Sequence, residues 1–133
     1  MLSAPNPVKP SLTEEERAHL RALYRALEPF WDLEHSVMPA SYIRAALLVA
    51  MNEGLSVSEY AEQAGTGATV MTRNLLDIGE RNRQREKGLE LITQVRDAFD
   101  LRKHRAMLTP KGRKLMQDVI TALRAVPKSV ARE

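Results

Sequence analysis

The sequence has no cysteine. Disulfides, thiolate zinc sites and cysteine nucleophiles are thereby excluded, and the chain suits a reducing compartment. Aromatic residues make up only 5%, which disfavours folds that present stacked aromatics, such as an RNA-recognition sheet. Long hydrophobic runs are missing too. The longest wholly apolar stretch, Ala45 to Met51, falls far short of the roughly 20 residues that span a bilayer. Met1 to Lys9 lack the apolar core of a secretion signal. A soluble cytoplasmic protein without a membrane partner is expected. Internal repeats and low-complexity tracts are absent.

Marks of catalysis are scarce as well. His19, His35 and His104 fall in three different elements with no metal-ligand spacing. Gly65-Thr66-Gly67 lacks the preceding strand and the Lys-Ser/Thr pair that would hold a nucleotide and magnesium. No serine sits in a glycine elbow. The expectation is a non-enzyme with no cofactor and no metal.

What is present is an ordinary globular composition, 44% apolar and 28% charged over 133 residues. That length suits one domain. Residues 1–12, with Pro5, Pro7 and Pro10, read as an extended arm, and residues 13–133 as a single domain. The net charge of +3 hides an uneven distribution. Residues 1–65 carry 5 Lys/Arg against 9 Asp/Glu, whereas residues 73–114 carry 12 against 6. A basic middle is the footprint of a surface facing phosphates, or of a solvated basic face.

Hydrophobic periodicity organises the rest. Thr13 and Glu16 form a capping-box pattern, and Leu20, Leu23, Tyr24 and Leu27 follow as one helical stripe ending near Pro29. Phe30, Trp31 and Leu33 make an apolar knot suited to core or subunit contact. A second helix spans about Ala40 to Asn52, stopped by Gly54. Ser56 and Glu59 cap a short helix that ends by Gly65. Thr66 is placed to cap a further helix, about Gly67 to Ile78. Residues 80–88 read as a loop or a frayed helix end. The period then changes to two: a strand from Leu89, a turn at Asp97-Ala98-Phe99-Asp100, and a second strand over Arg102 to Leu108. Thr109-Pro110 opens a last helix to about Ala125. The fold class is mainly α with a small β-hairpin wing. It is a winged helix-turn-helix (about 40–80, with the wing about 89–108) between N- and C-terminal dimerisation helices.

With Met71, Leu75 and Ile78 turned inward, Thr69, Thr72, Arg73 and Leu76 fall on the outer face of the helix. Thr69 and Thr72 suit phosphates or base edges, and Arg73 can fork onto a guanine. The competing use of Arg73 is an i, i+4 pair with Asp77. Arg81, Arg83, Arg85 and Lys87 alternate and would form a ladder against a phosphate backbone if extended. Arg102, Lys103 and Arg105 add wing contacts. Strand alternation sends Arg102 and His104 one way, Lys103 and Arg105 the other.

The stretches LSVSEYAEQAG at 55–65, VMTRNLLDIGE at 70–80 and LITQVRDAFDLRKHRAMLTPKG at 91–112 resemble the MarR (multiple-antibiotic-resistance regulator) family. The most specific match is Asp97-x-x-Asp100-x-Arg102 followed by Leu108-Thr109-x-Lys111-Gly112. The resemblance covers roughly residues 40–120. It implies a homodimeric regulator of transcription that binds double-stranded DNA, often a repressor and often ligand-responsive. It also implies that Asp97 and Asp100 shape the wing and that Arg102 enters the minor groove. The Arg81 to Gly88 link is longer than usual, and one helix stands after Gly112 where most members have two.

The functional expectation is a homodimeric repressor of MarR type on a pseudo-palindromic site. The alternative is a winged-helix protein-interaction module without DNA binding. The subunit contact is expected from Leu20, Leu23 and Leu27 with Leu115, Val119 and Leu123. A small-molecule effector would sit near Trp31, Tyr42 or Met38, where plain apolar core serves equally well as an account of those residues.

Overall fold

Thr13 decides where the first helix begins. Its hydroxyl accepts the Glu16 amide at 3.0 Å, and the Glu16 carboxylate accepts the Thr13 amide at 2.8 Å. Two free helix-start donors are thereby satisfied reciprocally. The computed structural model describes residues 8–33, 37–100 and 102–125. His35 and the first seven residues of the N-terminal arm lie outside them. After α1 (Glu14–Trp31) come α2 (Ala40–Met51), α3 (Val57–Ala64), α4 (Ala68–Asp77), β1 (Ile92–Arg96), β2 (His104–Leu108) and α5 (Pro110–Leu123). This order is a winged helix-turn-helix flanked by two outer helices.

Several boundaries differ from the sequence expectation, each for a local reason. α1 runs through Pro29 to Trp31. Phe30 is fully buried and anchors that last turn, and the Asp32 amide closes it on the Glu28 carbonyl at 2.9 Å. Gly67, not Thr66, is the N-cap of α4. Thr66 instead ends α3, its amide reaching the Ala61 carbonyl at 3.0 Å past a left-handed Gly65. β1 begins at Ile92 rather than Leu89, because the amides of Leu89, Glu90 and Leu91 bond to Asp77, Gly79 and Ile78 at the end of α4. β2 begins at His104 rather than Arg102, since Arg102 and Lys103 still donate their amides into the turn at Asp100.

The hairpin is antiparallel, with Ile92 opposite Leu108, Gln94 opposite Ala106 and Arg96 opposite His104. The segment between α2 and α3 runs beside β2. Gly54 donates to the Ala106 carbonyl at 2.8 Å, and Ala106 to that of Leu55 at 3.2 Å. Tyr60 is fully buried at this junction, with its hydroxyl donating to the Asn52 carbonyl at 2.5 Å. One apolar cluster takes Phe30 from α1, Val49 from α2, Tyr60 from α3, Leu75 from α4, Ile92 from β1 and Val119 from α5.

α1 packs on α5, but not through the stripe that the sequence advertises. The buried face of α1 is Ala22, Ala26 and Phe30, at i, i+4 and i+8. Leu20, Leu23, Tyr24 and Trp31 face outward, exposed by 52%, 50%, 73% and 56%. Leu115 and Val119, expected at a subunit contact, are buried within the chain itself, while Ile120 and Leu123 stay exposed. The inner face of α1 is thus built from two alanines and Phe30, and the bulky leucines lie on its outer side.

Gly112 marks another close approach. A Cβ there would lie 2.0 Å from the Leu91 carbonyl oxygen. Alanine suits a helix better than glycine by about 1 kcal/mol, but forcing atoms into a packed site costs about 1–3 kcal/mol. Gly112→Ala is therefore expected to lower the urea midpoint. A midpoint equal to or above that of the parent would show that Leu91 moves away freely.

Candidate nucleic-acid interface

The apolar positions of α4 seat it as expected: Met71, Leu75 and Ile78 are all buried. The opposite side presents Thr69, Thr72 and Arg73, each exposed, with Leu76 half-buried. No side chain caps the first turn of α4, so its amides stay open to an anion. The expected alternative for Arg73, a pair with Asp77, does not form. Among the described residues Arg73 makes no ion pair, because Asp77 points inward and is otherwise engaged.

Asp77 is buried at the C-terminal end of α4. The Tyr42 hydroxyl donates to its Oδ2 at 2.7 Å, and the Arg83 guanidinium lies 3.0 Å from the same oxygen. The Arg83 amide donates to Oδ1 at 3.2 Å. Burial pushes the Asp77 carboxyl up, but the bonds from Tyr42 and Arg83 outweigh burial and hold it below its ordinary value. Burial, then the neighbouring carboxylate, raises Tyr42. Arg83 thus ties the loop after α4 to α2 instead of standing in a row of phosphate contacts.

The ladder itself is replaced by a tight reversal. Arg81 and Lys87 pair across it as an antiparallel bridge. Asn82 organises the turn, its Oδ1 accepting the amides of Gln84 at 2.9 Å and Glu86 at 3.0 Å. Arg85 takes φ 62° at the bend. Arg81, Arg83, Arg85 and Lys87 therefore do not stand in one extended row. Arg81 and Arg85 remain exposed, and among the described residues Arg85 forms no ion pair. This reversal, α4 and β1 border an open cleft of about 720 Å³ lined by Leu76, Arg81, Lys87, Thr93 and Gln94. The hairpin therefore borders the C-terminal part of α4, at Leu75 and Leu76.

In the wing, Asp97 is the fastening point. Its Oδ1 accepts the Phe99 amide at 2.7 Å, and its Oδ2 the Arg105 Nε at 2.7 Å. Arg105 also donates to the Gly54 carbonyl at 2.6 Å. The Phe99 amide and then the Arg105 guanidinium hold the Asp97 carboxyl below the usual carboxylate range. Arg105, expected to touch DNA, is also a clamp between the wing and the α2–α3 segment. Asp100 accepts from both the amide and the Nε of Arg102, at 3.1 Å and 3.2 Å, which lower its pKa. Arg102 is 91% exposed even so, and Lys103 is exposed beside it.

Sequence reasoning missed Tyr42 as a partner of Asp77. The available signal was a carboxylate set among the inward positions Leu75 and Ile78, where a charge needs a counterpart. Arg44 was also missed. It stands exposed on α2 and reaches the Ala64 carbonyl at 3.4 Å, beside the turn into α4. Trp31 and Tyr42 line separate clefts, the first with Tyr24 and Leu27, the second with Asp77 and Arg83. They do not form one effector cavity.

The Asp77 cluster and Arg73 should respond differently to mutation and pH. A depressed folded carboxyl pKa contributes stability that is fully present above the ordinary value of 3.8 and is lost as pH falls through the lowered one. Arg83→Ala should lower the urea midpoint at neutral pH, and the deficit should close as pH falls through the carboxylate range. Arg73→Ala should move the midpoint at no pH. Equal effects of the two substitutions would contradict the assignment of Arg83 as a tie.

No protein-family model matches the sequence, and no curated protein is significantly similar to it. Solved structures are similar in fold. A MarR transcriptional regulator from Methanosarcina mazei Go1 aligns over 82% of this chain and 68% of its own, with TM-score 0.56 and 15% identity. A transcriptional regulator from Thermotoga maritima aligns over 87% and 74%, with TM-score 0.60 and 14% identity. A mutant MepR of S. aureus bound to an oligodeoxyribonucleotide aligns over 89% and 76%, with TM-score 0.59 and 18% identity. The chain has the winged helix fold of the MarR transcriptional regulators.

Proposed function

We propose that the chain is a sequence-specific DNA-binding regulator of transcription, a cytoplasmic homodimer that represses from a pseudo-palindromic site. The observation that carries this reading is the outer face of α4. Thr69, Thr72 and Arg73 are exposed there, Arg73 is unpaired among the described residues, and a hairpin with exposed Arg102 and Lys103 at its turn follows in the chain. A helix laid in the major groove needs such a face to meet base edges. Arg81, Arg85, Arg102 and Lys103 serve phosphates or the minor groove, while Arg83 and Arg105 hold the parts that carry them. The oligodeoxyribonucleotide bound to the similar MepR supports the same use of the fold. Among the described residues, no helix is long and apolar enough to cross a membrane, and no group of His, Cys, Asp or Glu could hold a metal ion.

The outward stripe of Leu20, Leu23, Tyr24 and Trp31, with Ile120 and Leu123 from α5, supports the homodimer. Large apolar side chains exposed on two packed helices suit a subunit contact. A twofold axis along it would present two α4 helices to successive major grooves.

Two measurements test the proposal. Arg73→Ala should cost about 1–3 kcal/mol on a preferred duplex and much less on mixed DNA. An equal loss on both would make Arg73 a phosphate contact, and binding with no salt dependence would favour the protein-interaction module. Replacing Leu23 and Leu123 together by glutamate should leave a folded monomer in sedimentation, because both side chains already face outward. An unchanged dimer would move the subunit contact elsewhere.

A further inference from the structure

Phe99 is completely exposed at the tip of the wing, and no other large apolar side chain among the described residues is as open. A phenylalanine left in water forgoes the burial that normally retains it in a fold. It is not loose. Asp97 Oδ1 holds its amide at 2.7 Å, Asp97 donates its own amide to the Lys103 carbonyl at 2.9 Å, and Lys103 returns one to Asp100 at 2.9 Å. Asp97 is in turn fixed by Arg105, which is fixed to the Gly54 carbonyl. The ring therefore stands on a braced turn, joined through two side chains to the segment between α2 and α3.

Around it stand the cations Arg96, Arg102 and Lys103, together with Asp97 and Asp100 of the turn itself. Arg102 and Lys103 lie just across the turn, and Arg96 and His104 pair at the end of the strands below. Arg96 and Lys103 make no ion pair among the described residues, so their charge is available to a polyanion. An apolar partner protein would not call for this ring of positive charge, and a second copy of the chain would bring like charge against it. Duplex DNA matches both features: phosphates outside, and an apolar stack within.

We infer that Phe99 is a wedge that enters a base-pair step from the minor groove and bends the DNA beside the segment read by α4. The inference rests on the DNA-binding reading and names what the wing does there. Apolar side chains pushed between base pairs from the minor groove unstack the step and kink the duplex, and nearby cations hold the phosphates of the narrowed or displaced backbone. The step chosen would be a flexible pyrimidine–purine step, which deforms at lower cost. Specificity then arises at base pairs that no polar side chain reads.

The test uses the full chain and a duplex that it selects from a random pool, labelled at both ends for energy transfer, with 2-aminopurine placed through the region contacted by the wing. The parent should bend the duplex by about 20–90° and raise the 2-aminopurine emission at one step. Phe99→Asn should remove most of the bend and the emission change while leaving the thermal midpoint unchanged, because the ring is fully exposed. Phe99→Leu, which keeps an apolar wedge, should keep both signals. A parent that binds an unbent duplex, or Phe99→Asn bending it as the parent does, overturns the wedge alone. A parent that binds no duplex at any salt concentration overturns the wedge and the DNA-binding reading together. Loss of self-association in Phe99→Asn, with bending intact, would assign the ring to a second copy of the chain instead.

Discussion

The buried carboxylate of Asp77 is the constraint on which the orientation of α4 depends. A lone carboxylate at that depth would be costly. It is tolerated because Tyr42 and Arg83 supply donors from two other elements. The result is a three-way joint: the end of α4, the start of α2 and the first part of the 79–91 connection cannot shift independently. The backbone adds to it, with Leu89, Glu90 and Leu91 donating to the last carbonyls of α4 and its cap. The hairpin that follows is thereby delivered to the flank of the same helix. Asp97 repeats the device at the far end of the hairpin, where Arg105 links the wing to Gly54.

This arrangement sorts the cations of the basic middle into two groups. Arg83 and Arg105 neutralise buried carboxylates. Arg73, Arg85, Arg96 and Lys103 form no ion pairs among the described residues, and Arg102 keeps nearly all its surface open despite Asp100. Net charge alone could not make this division. The free group is distributed over α4, the reversal after it and the wing tip, which is the distribution a duplex surface requires. The paired group is what keeps those three parts in register.

Local signals in the sequence carried far. Thr13 with Glu16, Ser56 with Glu59, and Thr109 with Pro110 each announce a helix start, and each cap forms. The inward set Met71, Leu75 and Ile78 followed from spacing and fixed the outer face of α4 in advance. Two kinds of feature were not legible. Alternation in Arg81, Arg83, Arg85 and Lys87 suggested an extended row, but the reversal is dictated by Asn82 bonding backbone amides two and four residues on, which periodicity does not register. The leucine stripe of α1 was expected at a subunit contact, and the spacing gave no sign of which residues face α5. Burial went to Ala22, Ala26 and Phe30, the face that packs on α5, and only the position of that helix reveals it. Similarly, Asp77 was weighed against Arg73 at i+4, whereas its true partners come from residues 35 positions before and 6 after.

The central claim is that this chain reads DNA as a symmetric pair of α4 helices. Selection of duplexes from a random pool by the full-length protein, followed by sequencing, tests it most directly. The account predicts an enriched inverted repeat with half-sites about 10 base pairs apart, centre to centre, or a multiple of that spacing. Recovery of a single unpaired half-site would contradict the symmetric pair, and recovery of no enriched sequence would contradict sequence reading altogether.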